Sequence, residues 1–233
     1  MVTKYMSDER IHTSAGWGTT AETFYASDKE KYLGFGNLVQ LSHSILNVNS
    51  GNSGMKLHRN MEVVDIILNG AIGFQDSFGE TSIYPANTIQ VVSAGKGIYQ
   101  TEFNAGPTEA EKIQIGFLPG TLNKEPVKTK ALYNLQTNLN SLVELVSPRN
   151  PASLSIRQNT AVFLGEFEKN NHIGYALNNN SVGLFVYILS GVVTVQNQIL
   201  RRGDAVGILD EEQTLLHTAE HSSILVMETS LND

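Results

Sequence analysis

This chain reads twice, and that repetition limits its possible folds more than any other feature. Ile67-Leu68-Asn69-Gly70 followed by AIGFQDSFGETSIYPANTIQVVSAGKG is matched, 121 positions later, by Ile188-Leu189-Ser190-Gly191 followed by VVTVQNQILRRGDAVGILDEE. Each copy gives a strand, a Gly turn, a returning strand, then a Pro-Ala-Asn or Gly-Asp break and one more strand. A repeat of this length describes one supersecondary unit used twice, each copy burying a core of its own. Within the first copy, Glu62 to Leu68 is a β-branched run closed by Asn69-Gly70, a strong hairpin signal. Ala71 to Gln75 returns antiparallel, Asp76 to Glu80 turns, and Pro85-Ala86-Asn87 interrupts the chain before the strand-forming Thr88 to Ser93. Short strands at about ten-residue spacing, with turns between, predict an antiparallel barrel or sandwich rather than a parallel sheet.

The flanking segments fit that frame. Trp17, Phe24 and Tyr25 are packing anchors in a polar N-terminal stretch, with Gly16-Trp17-Gly18 as a turn. Tyr32 to Leu46 contains a half-buried strand that carries His43 as a hydrogen-bonded or partly exposed side chain, and Val48 to Gly54 is a linker of turn-forming residues. Lys112 to Pro119 is one more strand. Between Gly120 and Pro151 the composition shifts, and Leu135, Leu139, Leu142 and Val146 recur at intervals that predict a helix within 131–146, stopped by Pro148. The expected architecture is therefore all-β, with antiparallel β-barrels at 1–120 and 153–233 joined by a connector at 121–152 that holds a short helix.

Composition excludes several functions. The net charge is −7, so neither a nucleic-acid backbone nor an anionic membrane surface is an expected partner. With no cysteine, disulfides, thiol catalysis and Cys-ligated zinc are excluded, and any metal must sit on His, Glu, Asp or water. No apolar run reaches the 18 or so residues that cross a bilayer, and the first residues lack a signal-peptide core, so a cytoplasmic location is expected. Edge strands of either barrel are compatible with a monomer or a homodimer.

Candidate site residues concentrate between Met55 and Asn104. Residues two apart in a strand share a face, so Lys56 and His58 form one such pair and Gln100 and Glu102 another, and two facing pairs can converge inside a barrel. Glu62 lies four residues from His58, about 13 Å along a strand, too far for the two to share a metal directly. Gly51-Asn52-Ser53-Gly54 is no nucleophile elbow, and Gly95-Lys96-Gly97-Ile98 is neither a phosphate loop nor a dinucleotide fingerprint. His172, His217 and His221, in the second copy, lie away from the corresponding positions and are expected on its surface.

Taken in order, Lys56-Leu57-His58-Arg59-Asn60-Met61-Glu62, Gly70, Asp76-Ser77, Pro85, Ala94-Gly95-Lys96-Gly97 and Gln100-Thr101-Glu102-Phe103-Asn104 resemble the pirin family of bicupins. There the first motif is of the type His-x-His-Arg-Gly-Met-Glu and the last His-x-Glu-x-Asn. The likeness extends from Leu33-Gly34-Phe35-Gly36 to Gly203-Asp204. The resemblance implies two cupin-type barrels and a single metal, usually iron, held in the N-terminal barrel by three histidines and a glutamate. Some members resemble quercetin dioxygenases, and others are transcription-linked binding proteins. Carried over, the ligand positions are Lys56, His58, Gln100 and Glu102, of which His58 and Glu102 match. An ammonium has no lone pair for a cation, and an amide oxygen is a poor replacement for imidazole.

The expectation is thus a degenerate N-terminal metal site with no cofactor, in a small-molecule-binding or regulatory protein. Lys56 would pair with Glu102 and partly replace the missing cation, while Gln100 and His58 complete a hydrogen-bonded set. The alternative is a quercetin 2,3-dioxygenase-like enzyme that uses iron or another divalent first-row metal. Its His58 and Glu102 would be the catalytic and metal-binding residues, supplemented by Glu62 or Gln100 and water. A third reading is a structural module whose barrel interior is plugged by side chains.

Overall fold

The computed structural model describes residues 1–25, 32–51, 54–177 and 182–231. Asn52 and Ser53, within both the expected linker and the Gly51–Gly54 stretch, lie outside the described residues. The first half contains β1 (Val2–Tyr5), β2 (Ile11–Ala15), β3 (Gly18–Glu22), β4 (Leu38–Leu46), β5 (Lys56–His58) and β6 (Glu62–Asn69). It continues through β7 (Ala71–Asp76), β8 (Thr81–Pro85), β9 (Thr88–Ser93), β10 (Ile98–Asn104) and β11 (Ala110–Phe117). After β12 (Val127–Leu132) and β13 (Val143–Val146) come β14 (Ala161–Phe167), β15 (His172–Ala176), β16 (Val182–Ser190) and β17 (Val192–Val195). The chain ends with β18 (Gln198–Arg201), β19 (Ala205–Ile208), β20 (Gln213–Thr218) and β21 (Ser222–Ser230).

These strands form two antiparallel barrels, each made of a large and a small sheet. The N-terminal barrel joins the sheet β12-β9-β6-β11-β4-β3-β2 to the sheet β5-β10-β7-β8. The C-terminal barrel joins β1-β19-β16-β21-β14-β13 to β15-β20-β17-β18. The first strand therefore crosses over: β1 pairs with β19 of the C-terminal barrel before the chain enters the N-terminal one. Both repeat turns are hairpins, and Gly70 (φ +71°) and Gly191 (φ +84°) occupy the left-handed region such turns require. Among the described residues, no helix is long and apolar enough to cross a membrane.

The expected connector helix is not there. Residues 127–132 hydrogen-bond to β9 as an edge strand, Gln136–Asn138 make one 3-10 turn, and residues 143–146 pair with β14. The open edges of β9 and β14 supply backbone partners to the two ends of the segment, and that pairing overrides a marginal helical periodicity. Asn140, with φ +65°, also breaks any continuous helix. Of the supposed apolar face, Val146 and Leu135 are buried but Leu139 is exposed.

Alternation along the strands divides the core. On β6, Val64 and Ile66 face the seam between the two large sheets, where they join Leu38, Ile113, Ile115 and Phe117 with Phe185, Tyr187, Leu225 and Met227. Val63 and Ile67 face the opposite way, into the N-terminal barrel, and there the apolar filling is split into two small clusters, one at Ile67, Ile72 and Phe74 and one at Val63, Val92 and Ile98. The C-terminal barrel instead encloses one continuous cluster that includes Leu184, Val186, Ile188, Val206, Ile224 and Val226. Asp65 lies on β6 between Val63 and Ile67, at the gap between the two N-terminal clusters.

Candidate functional site

A buried ion set fills that gap. Asp65 faces Gln114 across the β6–β11 ladder and Gln90 across the β6–β9 ladder. Lys112, two residues before Gln114, points to the same interior face. Its ammonium donates to Asp65 Oδ1 at 2.7 Å and also to Glu102 Oε2 on β10. The Gln114 amide donates to the same Asp65 oxygen at 2.9 Å, and Gln90 Nε2 lies 3.4 Å from the other. Lys112 Nζ also sits 5.4 Å from the centre of the Phe74 ring. The Lys112 side chain is 1% exposed and that of Asp65 0%, which places this ion pair among the most deeply buried side chains of the fold.

The register explains why only one barrel has this set. Val186 is flanked by Val226 on β21 and Val206 on β19, as Asp65 is flanked by Gln114 on β11 and Gln90 on β9. Ile224 precedes Val226 as Lys112 precedes Gln114. One layer of the barrel is thus Asp-Gln-Gln-Lys in the first copy and Val-Val-Val-Ile in the second.

The four positions singled out in the sequence come together around this layer. The β5–β10 register pairs Lys56 with Gln100 and His58 with Ile98, so both pairs of alternating residues face one cavity. It is about 10 Å³, room for a water-sized molecule, and its lining includes Lys56, His58, Phe74, Gln100, Glu102 and Gln114. His58 is buried, and desolvation pushes its imidazole below the ordinary histidine value, with Lys112 and Lys56 acting in the same direction against Asp65 and Glu102. The ring is neutral at neutral pH.

Two expectations are corrected here. Lys56 does not pair with Glu102: it lies exposed at the mouth, on the edge strand β5, and the ammonium beside Glu102 is that of Lys112. A side chain on an edge strand reaches water, whereas Lys112 stands in a strand with neighbours on both sides and faces the interior. Glu62 is not part of the cavity either. It occupies the other face of β6, where Ser93 Oγ donates to it and the Arg157 backbone N–H donates at 3.2 Å, and burial pushes its carboxyl up.

Sequence reasoning missed Lys112 and Asp65, although each carried a signal. Asp65 interrupts the apolar run VVDIIL, and Lys112 begins KIQIGF, where Lys112 and Gln114 alternate with Ile113 and Ile115. A charge on the inward phase of a central strand needs a buried partner. The surface histidines are a smaller matter: His172 and His217 face each other across β15 and β20, with ring centres 4.5 Å apart.

Chemically, the cavity presents an ammonium, amide groups and a neutral imidazole. The carboxylates hold the Lys112 amine above the ordinary lysine range despite its burial, so it stays charged and is no nucleophile. Among the described residues, no group of three or more His, Asp or Glu is placed to hold a metal ion.

Two antiparallel barrels in one chain, the first of them enclosing the polar pocket described above, are the architecture of a bicupin. More closely, the chain belongs to the pirin family: residues 6–116 match the Pirin profile, and residues 144–229 match that of the quercetinase C-terminal cupin domain. Quercetin 2,3-dioxygenase of Escherichia coli (strain K12) is 24% identical over 225 residues, covering 95% of this chain and 96% of that protein. A pirin-like protein of Caulobacter vibrioides is 27% identical over 175 residues, covering 74% of this chain and 75% of its own. In fold, the chain superposes on the crystal structure of the bacterial pirin YhhW from E. coli in complex with nickel(II), with a TM-score of 0.89, 23% identity and 99% of each chain covered.

Proposed function

We propose that this pirin-family chain has replaced the metal of its N-terminal barrel with a built-in cation, and that it acts as a small-molecule-binding or regulatory bicupin rather than as a metal-dependent dioxygenase. The observation that carries this reading is the contact of the buried Lys112 ammonium with Glu102, one of the two family ligand residues that remain. A divalent cation beside Glu102 would meet a fixed positive charge a few ångströms away, in surroundings that screen it poorly. Lys56 and Gln100 add no imidazole to His58, so the donor set does not fit a first-row metal. In this reading the ligand is a small polar molecule taken up at the mouth, near Lys56 and Thr101, and held by Gln100 and the neutral His58. The net charge of −7 speaks against a nucleic-acid or anionic-membrane partner, and the same proposal takes the protein as cytoplasmic and as a monomer or homodimer.

The second reading, a quercetin 2,3-dioxygenase-like enzyme, draws support from the dioxygenase relatives and from the nickel complex of the E. coli pirin. Elemental analysis of protein purified without chelator, followed by oxygen uptake with quercetin, separates the two. The expected result is well under one iron, nickel or zinc per chain and no quercetin-dependent uptake. A near-stoichiometric metal whose removal by chelator abolishes oxygen uptake would overturn the proposal. Titration of polar metabolite mixtures, read by NMR shifts at His58, tests ligand uptake; no shift from any of them would identify a plugged barrel instead.

A further inference from the structure

A second concave site lies between the barrels, on the side where the N-terminal arm crosses from one sheet to the other. It has a volume of about 300 Å³, at the small end of small-molecule sites, and its lining includes Arg10, His12, His43, Tyr187 and Arg202 with several Ser and Thr residues. Arg10 follows the 3-10 turn Ser7–Glu9 and is 7% exposed. Its guanidinium donates from Nε to Thr23 Oγ1 at 2.9 Å, from Nη2 to the same oxygen, and from Nη1 to the Tyr187 hydroxyl at 2.8 Å. The charged carbon also lies 4.8 Å from the centre of the Tyr187 ring. Every one of these acceptors is neutral, and no carboxylate among the described residues lies within ion-pair distance of Arg10. A buried guanidinium so placed is costly for the fold unless an anion shares its site.

The nearby carboxylates are already committed. Glu111 Oε1 accepts from His43 Nε2 at 2.6 Å and from Arg202 Nη2 at 2.8 Å, and these partners hold its carboxyl below the usual range. Asp204, at the turn that carries Gly203, accepts the backbone N–H groups of Ser7 and Arg201 at 2.8 and 2.9 Å. The Tyr187 hydroxyl accepts from Arg10, and its oxygen lies 2.9 Å from His43 Nδ1. One carboxylate therefore balances Arg202 and supports His43, and Arg10 contributes an uncompensated positive charge to the cavity wall.

We infer that this inter-barrel cleft binds a small ligand bearing an oxyanion, phosphate or carboxylate, clamped between the guanidinium groups of Arg10 and Arg202, with the Thr and Ser hydroxyls as further donors. Planar guanidinium groups suit such anions, and the Tyr187 ring and Ile45 form an apolar wall for the body of the ligand. The site is separate from the pocket of the N-terminal barrel and does not depend on whether that pocket holds metal.

The test is calorimetric titration of the full chain with inorganic phosphate and, separately, acetate, at low ionic strength so that screening is small. Wild-type protein should bind at least one of them in the millimolar range or tighter, and the tighter of the two identifies the head group. Arg202 is half-exposed, so Arg202→Gln should fold, and it should weaken binding about tenfold through loss of one charge-assisted hydrogen bond. Arg10→Gln should abolish binding; if it fails to fold, Arg202→Glu supplies the second variant and should lose more than Arg202→Gln. Lys56→Gln, in the other pocket, should bind as wild type does. The inference is overturned if folded wild-type protein binds neither anion, if Arg202→Glu binds like wild type, or if Lys56→Gln removes binding.

Discussion

Lys112 Nζ and Asp65 Oδ1 meet at 2.7 Å inside the N-terminal barrel, at a level where the C-terminal barrel has Ile224 and Val186. Removing one charge of such a buried pair leaves the other uncompensated, typically at a cost of about 3–5 kcal/mol. Lys112→Ile and Asp65→Val are each expected to destabilise the protein by about that amount. The double substitution, which copies the second barrel, should cost much less than their sum, since the buried charges leave together. Urea unfolding of the four proteins measures this coupling. Additive effects would show that the pair is not the electrostatic unit described.

Rebuilding the family's metal site needs one more change than the motif implies. Lys56→His with Gln100→His places three histidines and Glu102 around the cavity, but the Lys112 ammonium remains in contact with Glu102. The double variant should bind Ni(II) poorly. Adding Lys112→Gln should tighten binding by about tenfold or more, as Glu102 is released for coordination and the local positive charge is removed. Calorimetry under anaerobic conditions, with Ni(II)-dependent shifts in melting temperature as a second readout, compares the variants. Tight binding by the double variant alone would show that Lys112 does not guard the site.

The buried cavity also sets a pH signature. Desolvation lowers the His58 value from the ordinary 6.5, so above that pH the ring is neutral in both folded and unfolded chains. As pH falls below 6.5 toward the folded value, the unfolded chain takes a proton that the folded chain refuses, and stability declines. His58→Gln should flatten this part of the profile, and an NMR titration should show the His58 ring titrating below 6.5. Asp76 and Glu111 are also lowered, but from 3.8 and 4.5, so their losses belong to a separate, more acidic window. Lys112 acts at the opposite end: its raised value contributes stability in full below 10.5, lost as pH climbs past it. A His58 titration at or above 6.5 would contradict the burial argument.

The hairpin glycines should be intolerant of a side chain. A Cβ at Gly191 would come within 2.4 Å of the His221 carbonyl oxygen, and one at Gly70 within 2.7 Å of the Glu109 carbonyl oxygen, both at positive φ. Alanine at either position is expected to destabilise by about 1–3 kcal/mol, from backbone strain and the clash together. Thermal unfolding checks this; variants as stable as wild type would mean that these turns relax without consequence.

Local chemistry made much of the architecture legible. Asn69-Gly70 and Ser190-Gly191 specify hairpins because only a few residues adopt their backbone angles, and the β-branched, apolar runs VVDIIL and VYILS mark strands. The spacing within Lys56–His58 and within Gln100–Glu102 puts each pair on one face of its strand, and the pairing of β5 with β10 brings the two pairs to one cavity. Pairing lay beyond that reach. Whether residues 131–146 coil or extend depended on the edges of β9 and β14, which the segment's own sequence does not contain. Which lysine meets Glu102 depended on β11 lying next to β6 and bringing Lys112 inward, while Lys56 stayed on the edge strand. Arg10 and Tyr187, 177 residues apart, meet only because β1 crosses to the second barrel. Turns and strand phase are set by short-range sterics and the alternation of side chains; the partners of buried charges are set by long-range strand order, and so only the tertiary structure decided them.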